Sequence, residues 1–149
     1  MTVTASIEQE EQFVAFRLSG ETYGIPITLV HEIIRSCEIT QIPRTPEYVR
    51  GVVNLRGKIV PVIDLRRRLG LPEVEKTGAT RIVVVEVNDS VIGMIVDSVS
   101  EVIRILNSQI EPPTELVADV EKDLISGVGK RENGLIILLD IPKTVRMEE

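Results

Sequence analysis

Asp64 and Asp140 each close an apolar run, Ile59-Val60-Pro61-Val62-Ile63-Asp64 and Leu135-Ile136-Ile137-Leu138-Leu139-Asp140. Two carboxylates at matched positions are the residue type that shares a proton in acid–base hydrolysis. Their flanks point elsewhere. Leu65-Arg66 and Ile141-Pro142 follow the acids where a dyad needs a small, tight turn, so both are expected to cap helices or end strands. His31, the single histidine, stands between Val30 and Glu32 and reads as a half-exposed strand residue. Cys37 sits in a strand pattern and reads as packing, and no spacing of His, Cys and carboxylates suggests a metal. Ser126-Gly127-Val128-Gly129-Lys130 lacks the spacing of a phosphate-binding loop and reads as a hairpin bend. Arg66-Arg67-Arg68 reads as a solvated helix face. With no catalytic constellation, no cofactor and no metal expected, the chain is expected to bind and not to be an enzyme.

The elements that carry these residues come in two copies. Gly24-Ile25-Pro26-Ile27-Thr28-Leu29-Val30-His31-Glu32-Ile33-Ile34-Arg35 returns 69 positions later as Gly93-Met94-Ile95-Val96-Asp97-Ser98-Val99-Ser100-Glu101-Val102-Ile103-Arg104. Gly51 with the run from Gly57 to Leu65 returns as Gly127 with the run from Gly134 to Ile141. A unit of about seventy residues is too long for a solenoid repeat and suits a small barrel or sandwich, which predicts two similar β-subdomains with a cleft between them.

Composition sets the class. The 149 residues are 43% apolar, enough for a core, and hold 40 valines and isoleucines against 12 leucines. β-Branched side chains lose rotamer freedom in helices and pack well on a pleated surface, so strands should dominate. Only two phenylalanines, two tyrosines and no tryptophan are present, and the net charge is −6. Single-stranded nucleic acid needs stacking rings and cations, so a nucleic-acid partner is disfavoured. The lone cysteine, the polar start and the absence of a run of roughly 20 apolar residues predict a cytoplasmic chain without membrane insertion.

Phe13 to Leu18 and Tyr23 to Ile27 read as a hairpin turned by Ser19-Gly20-Glu21, repeated by Ile82 to Val87 and Val91 to Val96 around Asn88-Asp89-Ser90. Glu32 to Ile39 and Glu101 to Leu106 read as third strands. Thr45-Pro46-Glu47 carries a helix-start signal, and Asp64 is expected to cap a short helix through the three arginines. Leu71 to Thr80 reads as the connector, and the stretch from Glu111 to Asp123 as a short helix or loop. Pro26 and Pro61 predict edge or bulged strands in the first copy only.

The segment from Gly51 to Leu65, Gly51-Val52-Val53-Asn54-Leu55-Arg56-Gly57-Lys58-Ile59-Val60-Pro61-Val62-Ile63-Asp64-Leu65, resembles the core motif of the CheW family of bacterial chemotaxis coupling proteins. Tyr23-Gly24-Ile25, Val30-His31-Glu32-Ile33, Gly93 to Asp97 and Leu124 to Gly129 resemble that family's other blocks, in order, so the likeness runs from Gln12 to Val145. The resemblance implies an all-β fold of two pseudo-symmetric five-stranded Src-homology-3-like barrels with a few short helices. The whole, 12–145, would be one domain, its first barrel near 18–80 and its second near 81–141, with terminal strands open to exchange. It further implies an adaptor joining the cytoplasmic tips of chemoreceptors to the regulatory domain of the histidine kinase CheA. Such an adaptor would be a monomer alone and a ring or array member in complex, recruited to membrane receptor arrays.

By the same resemblance, receptor contacts fall on Val30, Glu32, Ile33, Gly51, Asn54, Arg56, Gly57, Val99 and Val102. Kinase contacts fall on an apolar barrel end with Ile39, Ile42 and Pro43. Arg56-Gly57 reads as a tight bend that displays a long cation, and Arg56 is expected to pair with Glu32. The rival readings are a barrel that binds nucleic acid, which requires a basic stripe, and an enzyme using Asp64 and Asp140.

Overall fold

Strands of β-branched residues joined by two-residue turns need positive φ at the turn. Ser19 and Gly20 (52° and 84°), Arg56 and Gly57 (53° and 86°) and Asn88 and Asp89 (52° and 68°) supply it at three hairpins. The computed structural model describes residues 9–35, 37–113 and 123–146. The first copy contains β1 (Glu10–Leu18), β2 (Glu21–Pro26), β3 (Val30–Arg35), β4 (Val49–Leu55), β5 (Lys58–Asp64) and the helix α1 (Leu65–Arg68). The second contains β6 (Arg81–Val87), β7 (Ser90–Val96), β8 (Ser98–Leu106), β9 (Ile110–Glu111), β10 (Ile125–Arg131), β11 (Gly134–Leu139) and the helix α2 (Ile141–Thr144).

The copies exchange hairpins. One sheet runs β3-β6-β7-β5-β4 and the other β8-β1-β2-β11-β10-β9, so β6 and β7 complete the sheet of the first copy and β1 and β2 that of the second. Each joint is a short parallel pairing: Val62 lies opposite Gly93 in one sheet and Leu138 opposite Gly24 in the other. Residues from both sides of the division expected at 80 and 81 thus share each sheet. The all-β, Src-homology-3-like expectation holds, with one five-stranded and one six-stranded sheet in place of two closed five-stranded barrels.

Each sheet curls towards closure. After β3 the chain swings across to β4, where Thr40 and Val52 exchange two N–H···O bonds of 2.9 Å. The third strand expected to reach Ile39 stops at Arg35 for this reason. In the other sheet β9 makes the same approach to β10, with Glu111 opposite Val128. Gly51 lies under the Thr40 crossing at φ 144°, and a Cβ there would stand 2.1 Å from the Thr40 carbonyl oxygen.

Among the described residues the apolar side chains gather in three clusters. Val53, Val60 and Val62 fill the five-stranded sheet, and Phe13, Ala15, Ile103, Ile105, Ile136 and Leu138 fill the six-stranded one. The largest belongs to both, joining Phe16, Leu18 and Ile25 to Ile63, Val83, Met94 and Val96, and to Leu139 and Ile141. The two sheets are thus welded through a common core.

Several local expectations change. Thr45-Pro46-Glu47 starts no helix; the Val49 N–H donates to the Pro46 carbonyl at 2.9 Å and strand β4 begins at once. Strand β5 is interior, since Val52, opposite Pro61, turns both backbone groups to Thr40 and demands no donor of the proline. Ser126 to Lys130 lies within β10. Cys37 is exposed. The loop expected between Pro112 and Asp123 falls mostly outside the described residues.

Candidate functional site

Strand β3 carries a bulge: Val30 lies opposite Val85 and Glu32 opposite Val84, leaving His31 over. A bulge re-aims the side chains on either side of it. Here it turns Val30 towards the common core, while Ile33 stays 39% exposed. Glu32 is paired with Arg56, which projects from the β4–β5 turn. Strands β3 and β4 are opposite ends of the hydrogen-bonded ladder. The ion pair therefore spans from one end of the sheet to the other. Arg56 donates to the Glu32 carboxylate, which holds that carboxyl below its ordinary range and raises the guanidinium. The turn is held by Asn54, whose Oδ1 accepts from the Gly57 N–H at 2.8 Å.

The second copy repeats the arrangement on β8. Ala15 lies opposite Glu101 and Phe16 opposite Val99, so Ser100 is the extra residue of an equivalent bulge. Val99 packs on the common core, Val102 is 52% exposed, and Glu101 accepts from Arg131 Nη2 at 3.2 Å. The 69-residue echo holds the signal for Glu101, which matches Glu32. Arg131 was hidden because it belongs to β10 and not to the turn that carries Arg56.

Of the residues expected at a receptor surface, the structure links Glu32 with Arg56 and sets Val30 and Val99 on one core. Gly51 is buried under Thr40. The expected kinase residues divide. Ile39 lines a cleft of about 380 Å³ with Arg50, Asp64, Arg66, Val74 and Asp97. Ile42 and Pro43 line an adjoining concavity that shares Arg50. Besides Val74 in the connector, Ile59 (62%) and Leu135 (60%) are exposed aliphatics that escaped the sequence reading, at equivalent places just after the β4–β5 and β10–β11 turns. Their runs are apolar on both faces, so alternation gave no sign of which residue faces out.

The residues that suggested catalysis are spent on structure. Asp64, 5% exposed, accepts from the Arg66 and Arg67 N–H groups of α1 and from Arg50 Nη1 at 3.1 Å. Asp140 accepts from the Lys143 N–H of α2. His31 lies 3.6 Å from Glu86, with both side chains about half exposed. No group of three His, Cys, Asp or Glu suited to a metal occurs among the described residues, and no helix there is long and apolar enough to cross a membrane.

The arginines are ties between elements and not a solvated face. Arg68 donates to the Thr144 and Lys143 carbonyls at 2.9 and 3.0 Å and lies over the Tyr48 ring. Arg66 donates twice to Asp97, at 2.8 and 2.6 Å, and Asp97 also accepts from the Ser19 N–H at 3.0 Å. Asp97 thereby joins α1 to the β1–β2 turn where the chain crosses between sheets. The Arg66 hydrogen bonds, with help from Ser19, hold its carboxyl below the ordinary 3.8. A depressed carboxyl stabilises the fold fully above its unfolded value and progressively less as pH falls through its folded value. The melting temperature is expected to be insensitive to this group from pH 7 to about 5 and to fall below about pH 4. The Asp97→Asn variant should show a shallower acid decline in thermal melts, and an unchanged decline would remove Asp97 from its causes.

Residues 12–149 match the family model described as a CheW-like domain. The chain is 39% identical to the chemotaxis protein CheW of Bacillus subtilis (strain 168), covering 93% of this chain and 88% of that one. To the CheW of Helicobacter pylori it is 36% identical, covering 95% and 85%. Among solved structures, the scaffolding protein TtCheW of Thermoanaerobacter tengcongensis superposes with a TM-score of 0.83 at 41% identity, covering 89% of this chain and 90% of that one.

Proposed function

The chain belongs to the CheW-like family, and from that premise we propose that it is a non-catalytic scaffold of chemotaxis signalling, binding chemoreceptor tips on one face and the regulatory domain of the kinase CheA on another. The observation that carries the receptor face is the Glu32–Arg56 pair, on the strand that also carries exposed Ile33. A helix laid on such a surface finds an aliphatic seat and a fixed charge that sets its register. Asn54 and Gly57 shape the turn that presents Arg56, and Val99 and Val102 extend the seat. The kinase face is proposed at the sheet end that exposes Ile59, with Leu135 offering an equivalent end and Ile39, Ile42 and Pro43 as further contacts. Contiguous exposed aliphatics mark contact surfaces. Two ends on one molecule allow alternation with a second protein in a ring, where raised local concentration lets modest pairwise affinities suffice. Such an assembly would gather at receptor arrays on the cytoplasmic side of the membrane.

The experiment is an NMR titration of labelled protein with a receptor-tip fragment and, separately, with the kinase regulatory domain. Perturbation of Glu32, Ile33 and Arg56 by the first and of Ile59 by the second supports the reading. No perturbation by either overturns it. The Arg56→Ala variant is expected to melt as wild type does, because the pair is exposed and solvent screens it. It should bind the receptor fragment about tenfold more weakly. Wild-type affinity in the folded variant would remove Arg56 from the contact.

A further inference from the structure

Strand β3 ends on Arg35, and the residue directly across from it in β6 is Arg81. Residues so paired stand on one face of a sheet with Cβ atoms about 5 Å apart, and like charges there destabilise the ladder. Among the described residues neither arginine makes an ion pair. The Arg35 side chain, which is exposed, makes no hydrogen bond there, and Arg81 donates through Nη1 alone, to the Gly78 and Thr80 carbonyls at 2.9 and 2.8 Å. The other copy shows the same place satisfied. By the 69-residue echo Arg104 corresponds to Arg35 and Gln12 to Arg81, and Gln12 lies opposite Arg104 in the β1–β8 ladder. With its amide oxygen turned to the arginine, Gln12 accepts from Arg104 Nε at 3.0 Å and from Nη2 at 3.3 Å. A glutamine turns repulsion into hydrogen bonding. The β3–β6 ladder instead keeps two cations face to face, in a chain whose net charge is −6.

We infer that Arg35 and Arg81 form a binding site for a phosphate group, either the free anion or the end of a small phosphate ester. The inference goes beyond the adaptor reading and needs neither of its partners. A guanidinium offers a planar fork of donors that matches the edge of an oxyanion, and its charge persists at every working pH. All the donors of Arg35 and the Nε and Nη2 donors of Arg81 remain for a ligand. Two facing cations also set the charge of what they hold. A phosphate group carries about −1.5 to −2 at pH 7 and so offsets both arginines, whereas a single carboxylate leaves one of them unneutralised. The unfavourable pairing in the empty site is then the counterpart of affinity, because the ligand relieves a repulsion that the sheet otherwise bears.

The test titrates the full chain with sodium phosphate, glycerol 3-phosphate and sodium acetate, each balanced with sodium chloride to one ionic strength so that general screening stays constant. Backbone amide NMR shifts and thermal melts are the readouts. Saturable shifts at Arg35 and Arg81 are expected with phosphate, and a rise in melting temperature of about 2–4 °C near saturation. Arg35→Gln should melt no lower than wild type in chloride, since it removes the repulsion and breaks no contact, and it should bind phosphate about tenfold more weakly. Arg81→Gln, which reproduces the Gln12–Arg104 arrangement, should lose affinity alike. Tighter binding of glycerol 3-phosphate than of phosphate would support the site with an ester as its ligand, and equal binding would support it with the free anion. No saturable shift in wild type would overturn the inference. So would wild-type phosphate affinity in folded Arg35→Gln, or acetate that binds as tightly as phosphate. An Arg35→Gln variant that melts below wild type in chloride would show that the two arginines do not repel, and would overturn it as well.

Discussion

Replacing Gly51 by alanine is expected to cost about 3–5 kcal/mol of folding stability and to open the five-stranded sheet at its closing bridge. The new Cβ would stand 2.1 Å from the Thr40 carbonyl oxygen and 2.7 Å from its carbon, with Ile39 Cγ2 at 3.0 Å. The obstacle is backbone, so no rotamer change relieves it. The φ of 144° adds strain that any side chain would feel. The nearest relief moves Thr40 away and breaks both of its hydrogen bonds to Val52. Chemical denaturation gives the cost, and hydrogen exchange at Thr40 and Val52 gives its place. Gly57→Ala is the matched control: its φ is 86° but its Cβ meets nothing within 4 Å, so it should cost only about 1 kcal/mol. Equal stabilities for the two variants would refute the role given to the Thr40 crossing.

Phe16→Ala is expected to remove about 3–5 kcal/mol, and to do so for both sheets together. Phe16 has no exposed surface and stacks on Tyr23 with ring centroids 5.8 Å apart. It belongs to β1 of the six-stranded sheet, yet its cluster includes Ile63, Val83 and Met94 of the other. A cavity there loses contacts on both sides. Urea unfolding followed by NMR, with Val60 reporting one sheet and Ile136 the other, should show one shifted transition. A five-stranded sheet that keeps its wild-type midpoint would show that the common core does not couple them.

The sequence read well wherever a local rule sufficed. The duplication stood in the echo of Gly24 to Arg35 by Gly93 to Arg104, the strands in their β-branched content, and the α1 cap in Asp64 before Arg66-Arg67. Family likeness singled out Glu32 and Arg56, which are paired. What escaped depended on distant backbone. No local pattern says that β6 pairs with β3, or that Thr40 will cross to Val52. The Thr45-Pro46-Glu47 signal was real as a propensity and lost to a strand that starts at Val49. Gly51 drew notice as part of a motif, and its reason lies in a carbonyl eleven positions earlier in the chain. Arg66 and Arg68 read as solvated charges in the sequence because their acceptors, Asp97 and the end of α2, are remote along the chain.

The hairpin exchange has a consequence for birth on the ribosome. Strands β3 to β7 can pair as soon as Val96 has emerged, since all five belong to one sheet. The amino-terminal hairpin, made first, can complete its sheet only when β8 and β11 follow. At a synthesis rate of about 5–20 residues per second, that delay is on the order of ten seconds. During it Phe13, Val14, Ala15 and Phe16, all buried in the finished molecule, stand open to solvent on an unpaired strand edge. The nascent chain thus presents this apolar segment early and shields it late, so it is open to aggregation for that interval.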